Sequence, residues 1–464
     1  MRGSVLSPKG SGVSGPRSVA AVLALTALAA CATYHPRPLD LTPRFAASVR
    51  NLEVDRRTMP LPQLRTHRFD PAHPLDMTEV AMVAVANNPQ LRVARDDVGV
   101  ARAQAFAAGL LPDPELGVSR DYPTSGPAVT SAFSVSLGYD IRALLLRSAV
   151  KDVAEAEARK VNLDLLWKEW QVVSEARLLY VRAVEQARQL RLLRRARILF
   201  ARRLRHVQRA LRHGDATLAA ESSDLIALQA IEQRIGVTQS GINHTRHALN
   251  ALLGLAPEAN LRLAGLPPLP RLDRRAVIAS LPGLADRRPD LLALRAGYAA
   301  GQERLREAIL AQFPAVTVGI RRSRDNTDVY SSGFSVGISL PIFNRNRGGI
   351  AVAKATRRRL YDEFELRLGA AYSGIRQILD DQRLEMHRLR GLRTAASDLR
   401  RVVRSAHAAY RAGNLDEQGY VRLAAGLLDR RIEKTALEQQ IFEQRVALQT
   451  LSGGALPTDK ANAR

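Results

Sequence analysis

Phe334-Ser-Val-Gly-Ile-Ser-Leu-Pro-Ile-Phe-Asn-Arg-Asn-Arg-Gly-Gly-Ile350 is the stretch on which the fold turns. From Phe334 to Leu340 every second residue is apolar, which is the period of a strand with one apolar and one polar face. Phe133-Ser-Val-Ser-Leu-Gly-Tyr-Asp-Ile141 shows the same alternation. Shorter runs stand just ahead of each, Leu116-Gly-Val-Ser119 and Val316-Thr-Val-Gly-Ile320, and are the predicted partner strands.

The two strand pairs belong to a larger duplication. Asn88-Pro89-Gln90-Leu91 matches Arg288-Pro289-Asp290-Leu291, and Leu111-Pro112 matches Phe313-Pro314. Phe133-Ser134-Val135-Ser136 matches Phe334-Ser335-Val336-Gly337, Arg212-His213-Gly214-Asp215 matches Arg411-Ala412-Gly413-Asn414, and Leu249–Gly254 matches Leu448–Gly453. The offsets are 200, 202, 201, 199 and 199, in chain order. That period is too long for a solenoid, so a domain-sized unit is written twice. Each unit begins with a helix, expected over Met77–Gly109 and Pro289–Gln312, before its strands.

Long helices follow the strands. From Val172 to Leu211 apolar residues recur at alternating spacings of four and three, failing only at Gln186 and Arg197. From Phe364 to Tyr410 the same series fails only at Gln382 and Glu385. A sustained period of 3.5 marks coiled-coil seams. Roughly 60 helical residues at about 1.5 Å each predict rods near 90–100 Å. Gly214 and Gly413 break the rods, and a returning helix makes each a hairpin.

Composition narrows the function. The 464 residues carry a net charge of +24, but Arg is interleaved with Glu and Asp along the helices. No zinc spacing, aromatic-basic platform or recognition helix accompanies it, so no nucleic-acid partner is expected. No Ser/His/Asp set, HExxH or Gly-rich phosphate loop is present, so the chain is read as no enzyme and as needing no cofactor. Met386-His387, the one adjacent pair among nine His and five Met, point in different directions on a helix, and no metal site is expected.

The N-terminus carries an address. Arg2, Lys9 and Arg17 precede an apolar run from Val19 to Ala30, shorter than the roughly 20 residues that span a bilayer. This is the layout of a secretory signal. Leu28-Ala29-Ala30-Cys31 resembles the bacterial lipobox, and Cys31 is the only cysteine of the chain. The resemblance implies a thioether-linked lipid on Cys31, and Ala32 in the next position implies the outer membrane. A Pro-rich tether follows. The expected organisation is a signal peptide over 1–30, a lipidated tether over 31–75, a first repeat over 76–254, a linker over 255–280, a second repeat over 281–454 and a tail over 455–464.

Four amphipathic strands fall short of the roughly eight that close the smallest membrane barrels. Open edges are not tolerated in hydrocarbon, so several chains must share one barrel. Here the sequence resembles the TolC-like outer-membrane factors, in particular lipoprotein members serving heavy-metal and drug efflux. The segment Phe334–Ile350 looks like that family's strand-to-helix passage, and Leu111-Pro112-Asp113-Pro114 looks like its metal-efflux branch. The resemblance implies a mostly α fold with a small β part: an α-barrel of coiled-coil hairpins below a shared β-barrel. It also implies a homotrimer in outer-membrane lipid, a periplasmic membrane-fusion adaptor and an inner-membrane pump. The adaptor would meet hairpin tips Arg212, Gly214, Asp215, Arg411, Gly413 and Asn414. Family members often place an Asp nine residues after the second tip glycine, as a constriction. Arg422 stands there instead, with Asp416, Glu417 and Asp429 nearby. The rival readings are a type I secretion duct and a coiled-coil lipoprotein without a pore.

Overall fold

The computed structural model describes residues 34–125, 130–269 and 272–454. Cys31 and the signal segment lie outside the described residues. The chain divides into a short unit ending at Phe45, whose residues from Tyr34 are exposed, and a second unit from Ala46 onward.

In the second unit the elements follow the duplicated order. A short helix α1 (Pro62–Thr66) precedes α2 (Met77–Asn87), α3 (Pro89–Ala108), β1 (Glu115–Asp121), β2 (Ala132–Asp140), α4 (Ile141–His213) and α5 (Leu218–Leu252). Short helices α6 (Arg274–Ala279) and α7 (Leu284–Arg287) then lead into α8 (Pro289–Leu310), β3 (Val316–Arg324), β4 (Tyr330–Ile338), α9 (Arg347–Arg411) and α10 (Glu417–Ser452). At 73 residues, α4 is about 110 Å long.

Two sequence expectations need correction. Met77–Gly109 is not one helix but two, α2 and α3. Pro89 cannot donate to the ladder and pushes Asn88 out of helical conformation (φ −58, ψ 125), and the Asn88 side chain caps the next helix at Leu91 N. The last strand occupies Tyr330–Ile338 rather than Phe334–Leu340. Pairing with β3, not alternation alone, sets its limits, and just past it Ser339 N donates to Ala315 O (2.9 Å) while Ser339 Oγ accepts from Ala315 N (2.8 Å).

The duplication is built around one recurring clamp. Asn88 donates through Nδ2 to Leu252 O (3.0 Å), at the end of α5. Its counterpart Arg288 donates through Nη1 to Leu451 O (3.3 Å), at the end of α10. Both clamping residues are buried. Arg288 is also held in a bidentate pair with Asp290 (2.9 and 2.6 Å), under the Trp167 ring. Just beyond each returning helix stands a left-handed glycine, Gly254 (φ 69) and Gly453 (φ 75). A Cβ on Gly254 would lie 2.9 Å from Asn87 O, so only glycine lets the chain pass.

Two main clusters fill the core. The first joins Met82, Leu91, Tyr180, Leu249 and Leu255 with Met59 and Leu64, which bring the segment after Ala46 into the fold. The second joins Leu284, Leu291, Ile375 and Leu448. Two of the heptad exceptions, Gln382 and Arg197, are met by partners. Buried Gln382 donates to Ile441 O (3.0 Å) and accepts from Arg445 Nε (2.7 Å), linking α9 to α10. Arg197 is exposed and pairs with Glu232 (2.9 Å).

The sheet joins the repeats. It is an antiparallel meander, β1-β2-β3-β4, with β2 of the first repeat beside β3 of the second. The two strand-to-helix junctions differ. Ile141 opens α4 directly after β2, and Asp140 caps it at Arg142 N (2.8 Å). The second passage, Ser339–Asn346, carries two left-handed residues, Arg345 (φ 43) and Asn346 (φ 51). Asn346 is anchored by Nδ2 on Ala308 O (2.8 Å). Asn tolerates this conformation better than most residues.

Gly254→Ala should lower unfolding stability by about 1–3 kcal/mol, the cost of a non-glycine left-handed residue. Gly236→Ala, in an open position within α5, should leave it unchanged or raise it by up to about 1 kcal/mol. Denaturant titration of the two variants checks the contrast.

Candidate functional site

The strand register sorts the sheet into two faces. Along the first, cross-strand rows run Arg120, Phe133, Arg324, Tyr330, then Val118, Val135, Arg322, Ser332, then Leu116, Leu137, Ile320, Phe334. Tyr139, Val318 and Val336 follow, and Val316 with Ile338 closes the face. These side chains are largely exposed, Phe334 at 84%. The opposite face carries rows such as Ser119, Ser134, Ser323, Ser331 and Glu115, Gly138, Gly319, Ser335. Packing on that face is tight: a Cβ on Gly319 would stand 2.9 Å from Ser335 Oγ and 3.1 Å from Leu137 O. One face thus offers hydrocarbon a broad apolar band, and the other offers water a row of hydroxyls.

Neither outer edge is covered. β1 and β4 each pair on one side only within the described residues. Exposed Leu110, Leu111, Phe313, Ile342 and Phe343 continue the apolar surface toward the helices. An apolar patch of this extent marks an interaction surface. Among the described residues no helix is long and apolar enough to cross a membrane.

Beside the sheet the helix ends are locked to one another. Arg142 donates through Nη2 to Ala311 O (2.9 Å) and Arg147 donates to Gly109 O, so two guanidiniums at the start of α4 satisfy carbonyls beyond α8 and α3.

At the far end, the two hairpins turn on the same device. Gly214 (φ 80) and Gly413 (φ 76) are left-handed, and Asp215 N and Asn414 N donate back to Ala210 O and Ala409 O (2.9 Å each). Arg212, Asp215, Arg411 and Asn414 are exposed at these tips. Polar contacts tie the first hairpin to α10. His206 Nδ1 meets Glu417 Oε2 at 2.6 Å, Arg203 donates to Gln418 O (3.5 Å), and Arg234 pairs with Asp429 (3.3 Å). Arg203 also forms a nearly buried pair with Asp224 (2.7 Å). Tyr410 and Tyr420 stack at 5.4 Å beside the tip.

Higher along the helices, Glu438 accepts from Arg188 and Arg393, 3.1 and 3.3 Å away. Burial holds the carboxyl of neighbouring Glu185 above its usual range. Burial, then the nearby Arg400 and Arg195, lowers the Arg431 guanidinium.

No family model and no curated protein matches the chain. Solved structures do. The open state of the MtrE outer-membrane channel of Neisseria gonorrhoeae superposes with a TM-score of 0.68 at 16% identity, covering 93% of this chain and 99% of that one. The outer-membrane protein VceC of Vibrio cholerae gives 0.66 at 17%, covering 82% and 97%. CusC, described for its transmembrane channel formation, gives 0.66 at 19%, covering 87% and 99%. The chain has the TolC-like outer-membrane channel fold.

Within this TolC-like fold the four constriction candidates are not equivalent. Asp416 caps α10 by accepting from Gly419 N (3.0 Å), and Glu417 is held by His206. Arg422 and Asp429 stand one heptad apart on the exposed stripe of α10, which continues through Glu433, Ala436 and Gln440. Sequence reading missed the inter-hairpin contacts of His206, Arg203 and Arg234. Their partners lie about 200 residues away and no local pattern announces them. Met386 packs beside Leu389 and Ile441, while His387 is exposed.

The two sheet faces predict opposite responses to charge. Ile320→Lys should weaken insertion into phosphatidylcholine vesicles by about 2–4 kcal/mol, the cost of a cation at mid-membrane. Ser119→Lys, on the hydroxyl face, should leave insertion unchanged. Flotation of the purified variants with vesicles reads the difference.

Proposed function

We propose that several copies of this chain form an outer-membrane exit duct, a passive channel for small solutes such as heavy-metal ions or drugs. One observation carries the reading: a sheet with two bare edges and one apolar face continues into helical hairpins too long for a globular core. Bare edges are satisfied by neighbouring copies, and the apolar face is satisfied by lipid. Three copies, the number the family resemblance implies, would supply 12 strands, within the range of membrane barrels. The hydroxyl face would then line the lumen. The superposed channels support this assignment through their shared fold.

In this reading the hairpin tips Arg212–Asp215 and Arg411–Asn414 meet a periplasmic adaptor, which couples the duct to an inner-membrane pump. Cys31 carries the lipid that holds the N-terminus at the membrane. Arg422 is the constriction residue best placed to act, because its guanidinium is exposed and Asp416 and Glu417 are already engaged. A ring of Arg422 side chains would favour anions, since rings of like charge set selectivity.

Purified protein in planar bilayers should give discrete conductance steps. A preparation that inserts yet never conducts would favour the pore-less structural lipoprotein. Arg422→Asp should move the reversal potential in a salt gradient toward cation preference. For the anchor, Cys31→Ser should abolish incorporation of radioactive palmitate.

A further inference from the structure

The apolar face of the sheet is graded along the strands. Its two rows nearest the hairpin loops hold three guanidiniums, Arg120, Arg324 and Arg322, and the rows below are hydrocarbon. Arg322 lies about 7 Å along β3 from Arg324, two residues at 3.3–3.4 Å each. Lipid-facing cations are expensive at mid-membrane and nearly free of cost at the headgroups. Their restriction to one end fits a depth where phosphates lie.

The three are unequally partnered. Arg120 donates through Nε to Ser131 Oγ (3.1 Å) and lies over the Tyr122 ring. Arg324 donates to Ser131 O (3.1 Å) and stands 3.5 Å from Asp328. The Arg322 side chain is exposed and makes no hydrogen bond or ion pair among the described residues. Asp328 is the one carboxylate paired with the cluster among the described residues. The other acid of that turn, Asp325, is occupied by Thr327 and Val329 within its own loop.

Beneath this rim the same face forms a trough. Val135, Leu137, Ile320 and Phe334 line it, while Arg322 and Arg324 stand at its upper end. Apolar walls capped by planar forks complement an acyl chain bearing a phosphate. Guanidinium matches phosphate oxygens two at a time, which a lysine does not do.

We propose that the Arg120, Arg322 and Arg324 cluster binds the phosphate headgroup of an anionic lipid in the loop-side leaflet, with the lipid's acyl chain lying in the trough. The inference rests on the reading that this face meets lipid. Three cations against one paired carboxylate, Asp328, leave a net positive rim continuous with an apolar groove, which selects a phospholipid-like amphiphile over a protein segment.

The test reconstitutes the full assembled chain into phosphatidylcholine nanodiscs containing a few per cent of either diphosphoryl or dephosphorylated lipid A. Lipid co-purifying with the protein after detergent exchange is then quantified by mass spectrometry. Diphosphoryl lipid A should be enriched about 10-fold over the dephosphorylated form, the scale of a charge-assisted contact. The pair Arg322→Gln and Arg324→Gln should abolish the enrichment. Arg358→Gln, an exposed arginine on α9 outside the trough, should preserve it. Equal retention of both lipids, retention unchanged in the double variant, or displacement by inorganic phosphate would each overturn the proposal. Conductance of the same particles separates the two readings. Conducting particles without enrichment remove the lipid site alone, whereas a chain that fails to insert removes the duct as well.

Discussion

Unpaired backbone is the constraint that organises this protein. Among the described residues two strand edges lie bare, and hydrocarbon offers no donor or acceptor to an exposed amide or carbonyl. The side chains deepen the requirement, since one face of the same sheet is apolar and exposed. A single copy therefore satisfies neither its edges nor its surface. Other features support this incomplete sheet: the guanidiniums of Arg142 and Arg147 that join the helix ends beside it, and the β2–β3 pairing that makes both repeats contribute to it.

Duplication explains how such a long chain stays in register. Each repeat closes on a residue preceding a proline, Asn88 or Arg288, which reaches the last carbonyls of its own returning helix. The chemistry diverged while the geometry persisted. An amide serves in one half, and in the other a guanidinium that needs its own carboxylate at Asp290 and a Trp167 face. A buried charge left unpaired would cost several kcal/mol, and these partners offset that cost.

Much of this was legible in the sequence, and the reasons for success and failure are physical. Alternation located the strands because one face is uniformly apolar, and period 3.5 located the rods because their seams are long. Glycines marked the tips because a left-handed residue ends both α4 and α9. The break at Asn88 was missed because the apolar pattern runs through it and the proline was outweighed. The limits of β4 were missed because pairing decides them. At the candidate constriction, the family resemblance put Arg422 at the expected position and named Asp416, Glu417 and Asp429 only as its neighbours in sequence. Capping and the contact with His206 separate them, and both depend on geometry that periodicity does not carry.

The unequal strand-to-helix junctions give the two halves different mechanics. The first helix leaves its strand with no intervening residue, so rotation of that rod is delivered straight to the sheet. The second leaves through a bent segment pinned by Asn346, which separates the rod from the rim. A twist applied at the tips would therefore be shared unevenly. The rod ending at His213 would pass it to the sheet directly, and the rod ending at Arg411 only through the bent segment Ser339–Asn346.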